Sequence, residues 1–196
     1  MHIGCGPSRK AQTTRGFNQD GWDEIRFDID PSVEPDIVGT MTDMSGVADA
    51  SVDAIFSSHN IEHLYPHEVP GALQEFRRVL RPNGFLILTC PDLQSVCALI
   101  AEGNLLGTAY ESPAGPISPI DILYGHRQAL AKGNLYMAHR SGFTEPVLAE
   151  VVQHCGFPRT ASTRRGYPSF DLWLVATAFP ATDADITTLA SQHFPN

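Results

Sequence analysis

The 196-residue sequence predicts one doubly wound α/β domain, an open and mainly parallel sheet with helices on its faces. Three observations carry this expectation. Short apolar runs alternate with stretches of helical spacing, as strands and crossovers do in parallel sheets. The run Phe85-Leu86-Ile87-Leu88-Thr89-Cys90 suits a strand covered on both faces. Several strand ends carry Gly, Asp or Ser-His, residue types that fit ligand-facing loops at the carboxyl rim of such a sheet.

The elements follow in order. Met1-His2-Ile3 is a very short apolar start, ended by Gly4-Cys5-Gly6-Pro7. Residues 8 to 21 are polar and read as a loop with at most one helical turn. Glu24 to Ile29 alternates as a strand and stops at Asp30-Pro31, Asp36 to Gly39 is a second short strand, and Val52 to Ser57 a third. From Glu68 to Arg81, Val69, Leu73, Phe76, Val79 and Leu80 recur at helical spacing. Arg77, Arg78 and Arg81 favour the end of that helix, and Pro82-Asn83-Gly84 stops it before the Phe85 strand. A helix is expected from Leu93 to Ala101. Residues 103 to 142 are rich in Gly, Pro and aromatics and read as a lid or binding insertion. Glu145 to Cys155 is helical with Gly156 as its stop, and Phe170 to Ala176 is the last strand. The expected domain covers residues 1–178, and 179–196 form a tail to which the sequence gives no role.

Composition excludes several partners. Thirteen Lys and Arg stand against 22 Asp and Glu, a net charge of -9, which repels phosphate backbones and anionic membranes. Neither nucleic acid nor membrane is therefore expected as a partner. Arg159, Arg164 and Arg165 form the one basic cluster and read as a solvated strand end. Cys5, Cys90, Cys97 and Cys155 have no spacing of a zinc knuckle or a disulfide framework. No signal peptide and no apolar stretch of about 20 residues is seen, so a cytoplasmic location with reduced thiols is expected. No sequence feature indicates an oligomeric state.

The candidate site residues lie at successive strand ends. Gly4-Cys5-Gly6 lets backbone amides approach a ligand, though it lacks the third glycine of the dinucleotide fingerprint. Asp28, followed by Ile29, stands 22 residues beyond Gly6, where a carboxylate can accept hydrogen bonds from ribose hydroxyls; Asp30 competes for that role. Thr42-Asp43-Met44 offers an acceptor for an adenine amino group and an apolar side chain for its ring. Ser57-Ser58-His59-Asn60-Ile61-Glu62-His63-Leu64 follows the third of these strands, and Leu80 to Leu88 joins a helix to the apolar strand through Pro-Asn-Gly.

Taken together these segments resemble the class I S-adenosylmethionine-dependent methyltransferases. Val52 to Leu64 is similar to the family's fourth strand and its "EHL" continuation, and Leu80 to Leu88 resembles its "LRPGG" turn. Gly142-Phe143-Thr144 and Cys155-Gly156-Phe157 match its late "FT…aGF" segment, so the likeness spans about residues 1 to 178. Gly21-Trp22 ahead of Asp28 resembles a small bacterial subgroup that begins at the glycine loop. The resemblance implies a seven-stranded sheet with one antiparallel strand near its edge and S-adenosylmethionine as cofactor. Gly4, Cys5 and Gly6 would border its methionine part, Asp28 and Ile29 its ribose, Asp43 and Met44 its adenine, and Ser58 and His59 its sulfonium. Departures lie on the amino-terminal side, where the first strand is short and the helix after the glycine loop is reduced.

Methyl transfer relies on alignment of the acceptor, and oxygen acceptors also need a base, a role suited to His. His59 and His126 are the catalytic candidates; His63 and His139 lie near the same segments. His59 to His63 also fits H-x-x-E-H, the inverted zinc-protease signature. That motif directly follows a buried strand and has no evident third ligand downstream, so no metal ligands are assigned and a zinc hydrolase remains a remote alternative. The expected function is methyl transfer to a small-molecule or glycan-like acceptor. The rival is a degenerate module of the same fold that binds or senses the cofactor without catalysis.

Overall fold

The computed structural model describes residues 1–195. Five strands precede the insertion: β1 (His2–Ile3), β2 (Arg26–Asp28), β3 (Ile37–Val38), β4 (Val52–Ser58) and β5 (Leu80–Pro91). The small hairpin β6 (Tyr110–Ser112) and β7 (Gly115–Ile117) lies inside the insertion, and β8 (Arg159–Arg165) and β9 (Asp171–Thr177) come last. The main sheet has seven strands in the order β3-β2-β1-β4-β5-β9-β8. β1 to β5 pair in parallel, while β9 runs antiparallel to both β5 and β8. This is the mostly parallel, doubly wound sheet that the sequence predicts, with β9 as its single reversed strand. The order reverses between β1 and β4, and there the loops part to leave a crevice.

Alternation along the strands sorts the core into two layers. Leu86, Leu88 and Cys90 of β5 face α1 (Val69–Val79) and α5 (Glu145–His154), which contribute Leu73, Phe76, Val79, Leu148 and Val152. Phe85 and Ile87 face the other way, onto Phe17, Phe56, Val175 and Ile186. Within β5 the register against β4 jumps from Val52 opposite Leu80 to Ala54 opposite Phe85, so Pro82-Asn83-Gly84, expected as a turn before the strand, forms an irregularity inside it. α2 spans Leu93–Ala101, started by Asp92, whose carboxylate accepts from the Gln94 amide at 3.1 Å.

Three regions differ from expectation. Arg164 and Arg165 are not a solvated strand end: they clamp the buried carboxylates of Asp92 and Asp171, with Arg164 Nη2 2.8 Å from Asp92 Oδ2 and Arg165 Nη2 2.5 Å from Asp171 Oδ2. The 103–142 segment is more regular than its composition suggests. It holds the β6–β7 hairpin, α3 (Pro119–Tyr124) and α4 (Arg127–Ala131), packed through Ala109, Ile117 and Ile122 against Val96 and Phe170. Asp121 stabilises it by accepting from the Ser118 amide at 3.1 Å and Arg127 Nε at 2.7 Å. The tail, finally, folds as α6 (Asp183–His193) and lays Ile186, Leu189 and Ala190 over the second core layer. No helix of the described residues is long and apolar enough to cross a membrane, and all four cysteines are free thiols.

Candidate active site

The crevice beside β1 is built from its loops upward. Gly4 and Gly6 adopt φ of +59° and +49°, a region open to glycine at little cost. The Gly4 amide donates to Phe27 O at 2.8 Å, and the Gly6 amide donates to Asp28 Oδ2 at 2.7 Å, so the loop folds back onto the end of β2. Asn60 locks it from the β4 side, its Nδ2 donating to Ile3 O and Ser58 O, both at 2.9 Å. Arg26 supports it from below. This buried guanidinium donates to Gly6 O at 2.5 Å, Ser8 O at 3.2 Å, Val33 O at 3.1 Å and Glu34 O at 2.6 Å. Sequence reasoning missed Arg26; the available signal was a cation inside an alternating apolar strand.

These loops enclose a cleft of about 430 Å³, large enough for a nucleoside-sized ligand. Gly4, Gly6, Asp28, Ile29, Ser58 and His59 all line it, so six of the sequence-predicted residues share one cavity. Asp30 lines it as well. Cys5 is buried beneath the loop. Met44 does not reach the cleft: its side chain is 1% exposed and packs in the core, so it cannot cover a ring there without leaving that core. Asp43 is exposed and accepts from the Ser45 amide at 3.0 Å, while its neighbours Met41 and Thr42 line the cleft. His126 is not brought to His59. It precedes α4 and borders a separate surface hollow with Leu106, Thr108 and Arg127.

Around His59 the groups are charged. His59 has a left-handed backbone, φ +54°, and a side chain 46% exposed to the cleft. Its Nδ1 lies 3.5 Å from Glu62 Oε1 and its Nε2 4.0 Å from Asp171 Oδ2. Loss of water around the ring works against its charged form, but the Glu62 and then the Asp171 carboxylates outweigh this and raise its pKa. Glu62 shows the mirror effect. Burial favours its neutral acid, yet His59 and then His63 and His139 hold its pKa below the ordinary carboxylate value. The H-x-x-E-H segment is a single 3-10 turn, Ile61–His63, so His59 and His63 do not share an α-helical face as the zinc-protease signature requires. A second hollow of about 180 Å³ adjoins Glu62 on the side away from the glycine loop. It is lined by Pro91, Val96, Ile122, Tyr124 and His139, among others, so the ends of the insertion build its wall.

Comparisons with known proteins match this architecture. Residues 1–88 match the family model described as a methyltransferase domain. No curated protein matches the chain. Solved structures share the fold. A protein from Pyrococcus horikoshii aligns with a TM-score of 0.59 at 16% identity, over 90% of this chain and 79% of its own. A SAM-dependent methyltransferase from Methanosarcina mazei aligns at 0.58 and 16%, covering 91% of both chains. The 1,6-didemethyltoxoflavin-N1-methyltransferase of Burkholderia thailandensis, solved with bound 1,6-didemethyltoxoflavin and S-adenosylhomocysteine, aligns at 0.55 and 17% identity, over 90% of this chain and 68% of that one.

Proposed function

Starting from a chain whose first 88 residues match the methyltransferase domain and whose fold is that of class I S-adenosylmethionine-dependent methyltransferases, we propose that it methylates a small-molecule or glycan-like acceptor. The observation that carries this reading is the meeting of Gly4, Gly6, Asp28, Ser58 and His59 around one cleft at the topological switch of the sheet. The residues present suit the cofactor: Gly6 lines the cleft, and a Cβ on it would meet no protein atom within 4 Å, which leaves room for a ligand beside the loop.

S-adenosylmethionine, when bound, supplies an activated methyl group on a sulfonium. Asp28 already accepts the Gly6 and Asp30 amides, and a carboxylate offers about four acceptor positions, so lone pairs remain for ribose hydroxyls. Ile29, Met41 and Thr42 would wall the adenosine portion. His59 is the base of this reading. With Nδ1 3.5 Å from Glu62 Oε1 and Nε2 4.0 Å from Asp171 Oδ2, the half-exposed ring would take the acceptor's proton, and the two carboxylates would stabilise the resulting cation. The largely apolar 180 Å³ hollow next to Glu62 suits a small acceptor group. The net charge of -9 supports an acceptor that is not nucleic acid. A location in the cytoplasm is part of this reading.

Calorimetric titration with S-adenosylhomocysteine tests the reading. Micromolar binding with turnover on a small acceptor supports the enzyme; binding without turnover on any acceptor class points to the sensor module, and silence at millimolar ligand defeats both. Asp28→Ala should lower the affinity by at least about 100-fold, since it removes a charged acceptor from ribose and frees the Gly6 amide. Unchanged affinity would refute the ribose assignment.

A further inference from the structure

Beside the smaller hollow lies a buried carboxylate whose oxygens accept no hydrogen bond. Glu62 is 1% exposed, and among the described residues neither of its carboxylate oxygens has a hydrogen-bond partner. The His59 ring stands at ion-pair distance, 3.5 Å, without hydrogen-bond geometry. A carboxylate withdrawn from water and left without donors is costly, and native proteins carry one where an ion or another cation completes it.

A carboxylate oxygen of Glu62 and one ring nitrogen each of His63 and His139 lie within 4.8 Å of one another. Ligands bound 2.0–2.2 Å from a common ion stand roughly 3–4 Å apart, so a small inward movement would complete the set. The rings are already prepared. His63 Nδ1 lies 3.0 Å from Ala138 O, and His139 Nδ1 2.7 Å from Ile122 O. A carbonyl oxygen only accepts, so each Nδ1 carries the hydrogen and each Nε2 keeps its lone pair, the arrangement found behind metal-bound imidazoles. The Arg140 and Ser141 amides donate to Glu62 O at 2.8 and 3.1 Å, tying the segment that bears His139 to the turn that bears Glu62 and His63.

We propose that Glu62, His63 and His139 form a binding site for a divalent first-row transition metal ion, for which zinc is the probe. Two neutral imidazoles and a carboxylate suit such ions, whereas magnesium and calcium prefer oxygen ligands throughout. Three protein ligands leave a further position, and Glu62 and His139 border the 180 Å³ hollow from which water or a substrate oxygen would fill it. The site stands independently of cofactor binding.

The test is zinc titration of the chelator-stripped full chain by calorimetry, with cobalt absorption as a second readout of ligand geometry. One ion per chain at micromolar affinity or tighter is expected. His139→Ala and Glu62→Gln should each weaken it by about 100-fold or more, as loss of a direct ligand exceeds the 10–100-fold typical of outer-shell partners. Glu62→Gln is nearly isosteric and removes a buried charge that accepts no hydrogen bond, so the metal-free variant should melt close to the wild type, which separates lost binding from lost folding. No saturable zinc binding by the wild type, or wild-type affinity in either variant, would overturn the site. S-adenosylhomocysteine binding, measured on the same sample, reports the methyltransferase reading separately.

Discussion

Gly4 shows how a single missing side chain shapes the cleft. A Cβ there would lie 2.0 Å from Asn60 Oδ1, and the φ of +59° disfavours any L side chain. Gly4→Ala would therefore expel the Asn60 amide from its bonds to Ile3 O and Ser58 O as well as strain the backbone. A loss of about 2–4 kcal/mol is expected from those two effects, read by urea unfolding, together with weaker S-adenosylhomocysteine binding. An unchanged unfolding midpoint would show that Asn60 is not a lock. At Gly6, where a Cβ meets nothing, only the backbone cost remains, about 1 kcal/mol. Residue types at strand ends made Gly4, Gly6, Asp28, Ser58 and His59 legible, because strand alternation fixes where each strand stops. Met44 was read as a cleft residue because no periodicity orients the irregular 40–44 segment, in which Met41 points to the cleft and Met44 to the core. His126 and His139 were equally ambiguous. The backbone bonds from Arg140 and Ser141 to Glu62 O, with His63 Nδ1 at Ala138 O, carry the latter to the site.

Among the elements, those with strong periods were readable from the sequence: α1, α2, α5, β4 and β5 fall within a few residues of their expected bounds. β8 was not, since its Arg-Thr-Ala-Ser-Thr-Arg-Arg run lies at the sheet edge and buries too little apolar surface to alternate visibly. α6 was also missed. Its buried stripe is Ile186, Leu189, Ala190 and His193, a helical spacing disguised by an alanine and a histidine. His193 closes the helix onto the body: its Nδ1 lies 2.6 Å from Thr14 Oγ1, and its ring centroid is 4.3 Å from that of Phe17. Burial first, and then the Arg15 guanidinium, push its pKa down to about 4. Above pH 6.5 neither folded nor unfolded chain takes this proton. As the pH falls from about 6.5 toward 4 the unfolded chain binds it and the folded chain does not, so stability drops by up to about 3 kcal/mol and levels off below that window. Urea unfolding between pH 7 and 4 should show this slope, and His193→Asn should flatten it. An equal slope in both proteins would place the acid sensitivity elsewhere.

At the scale of the molecule, the two faces of the sheet are covered by different means. α1, which joins the neighbouring strands β4 and β5, and α5, which leads into β8, roof one face; a polar loop and the late α6 roof the other. The connection from β1 to β2 contains only a three-residue 3-10 turn, Lys10–Gln12, where a full crossover helix would normally stand. A chain stopped after Ala181 should accordingly bare Phe17, Phe56, Phe85, Ile87 and Val175, bind a hydrophobic dye, and aggregate or unfold several degrees lower. A truncated chain as stable and as dye-free as the parent would mean that the loop alone seals that face. The arrangement also has a bearing on synthesis. Ile186 must find Phe17, and His193 must find Thr14, over a long stretch of chain, so a nascent polypeptide that has already paired all seven strands still shows a greasy flank until α6 emerges and docks. Slow decoding of the codons for α6 would lengthen that interval, during which chaperone capture competes with closure.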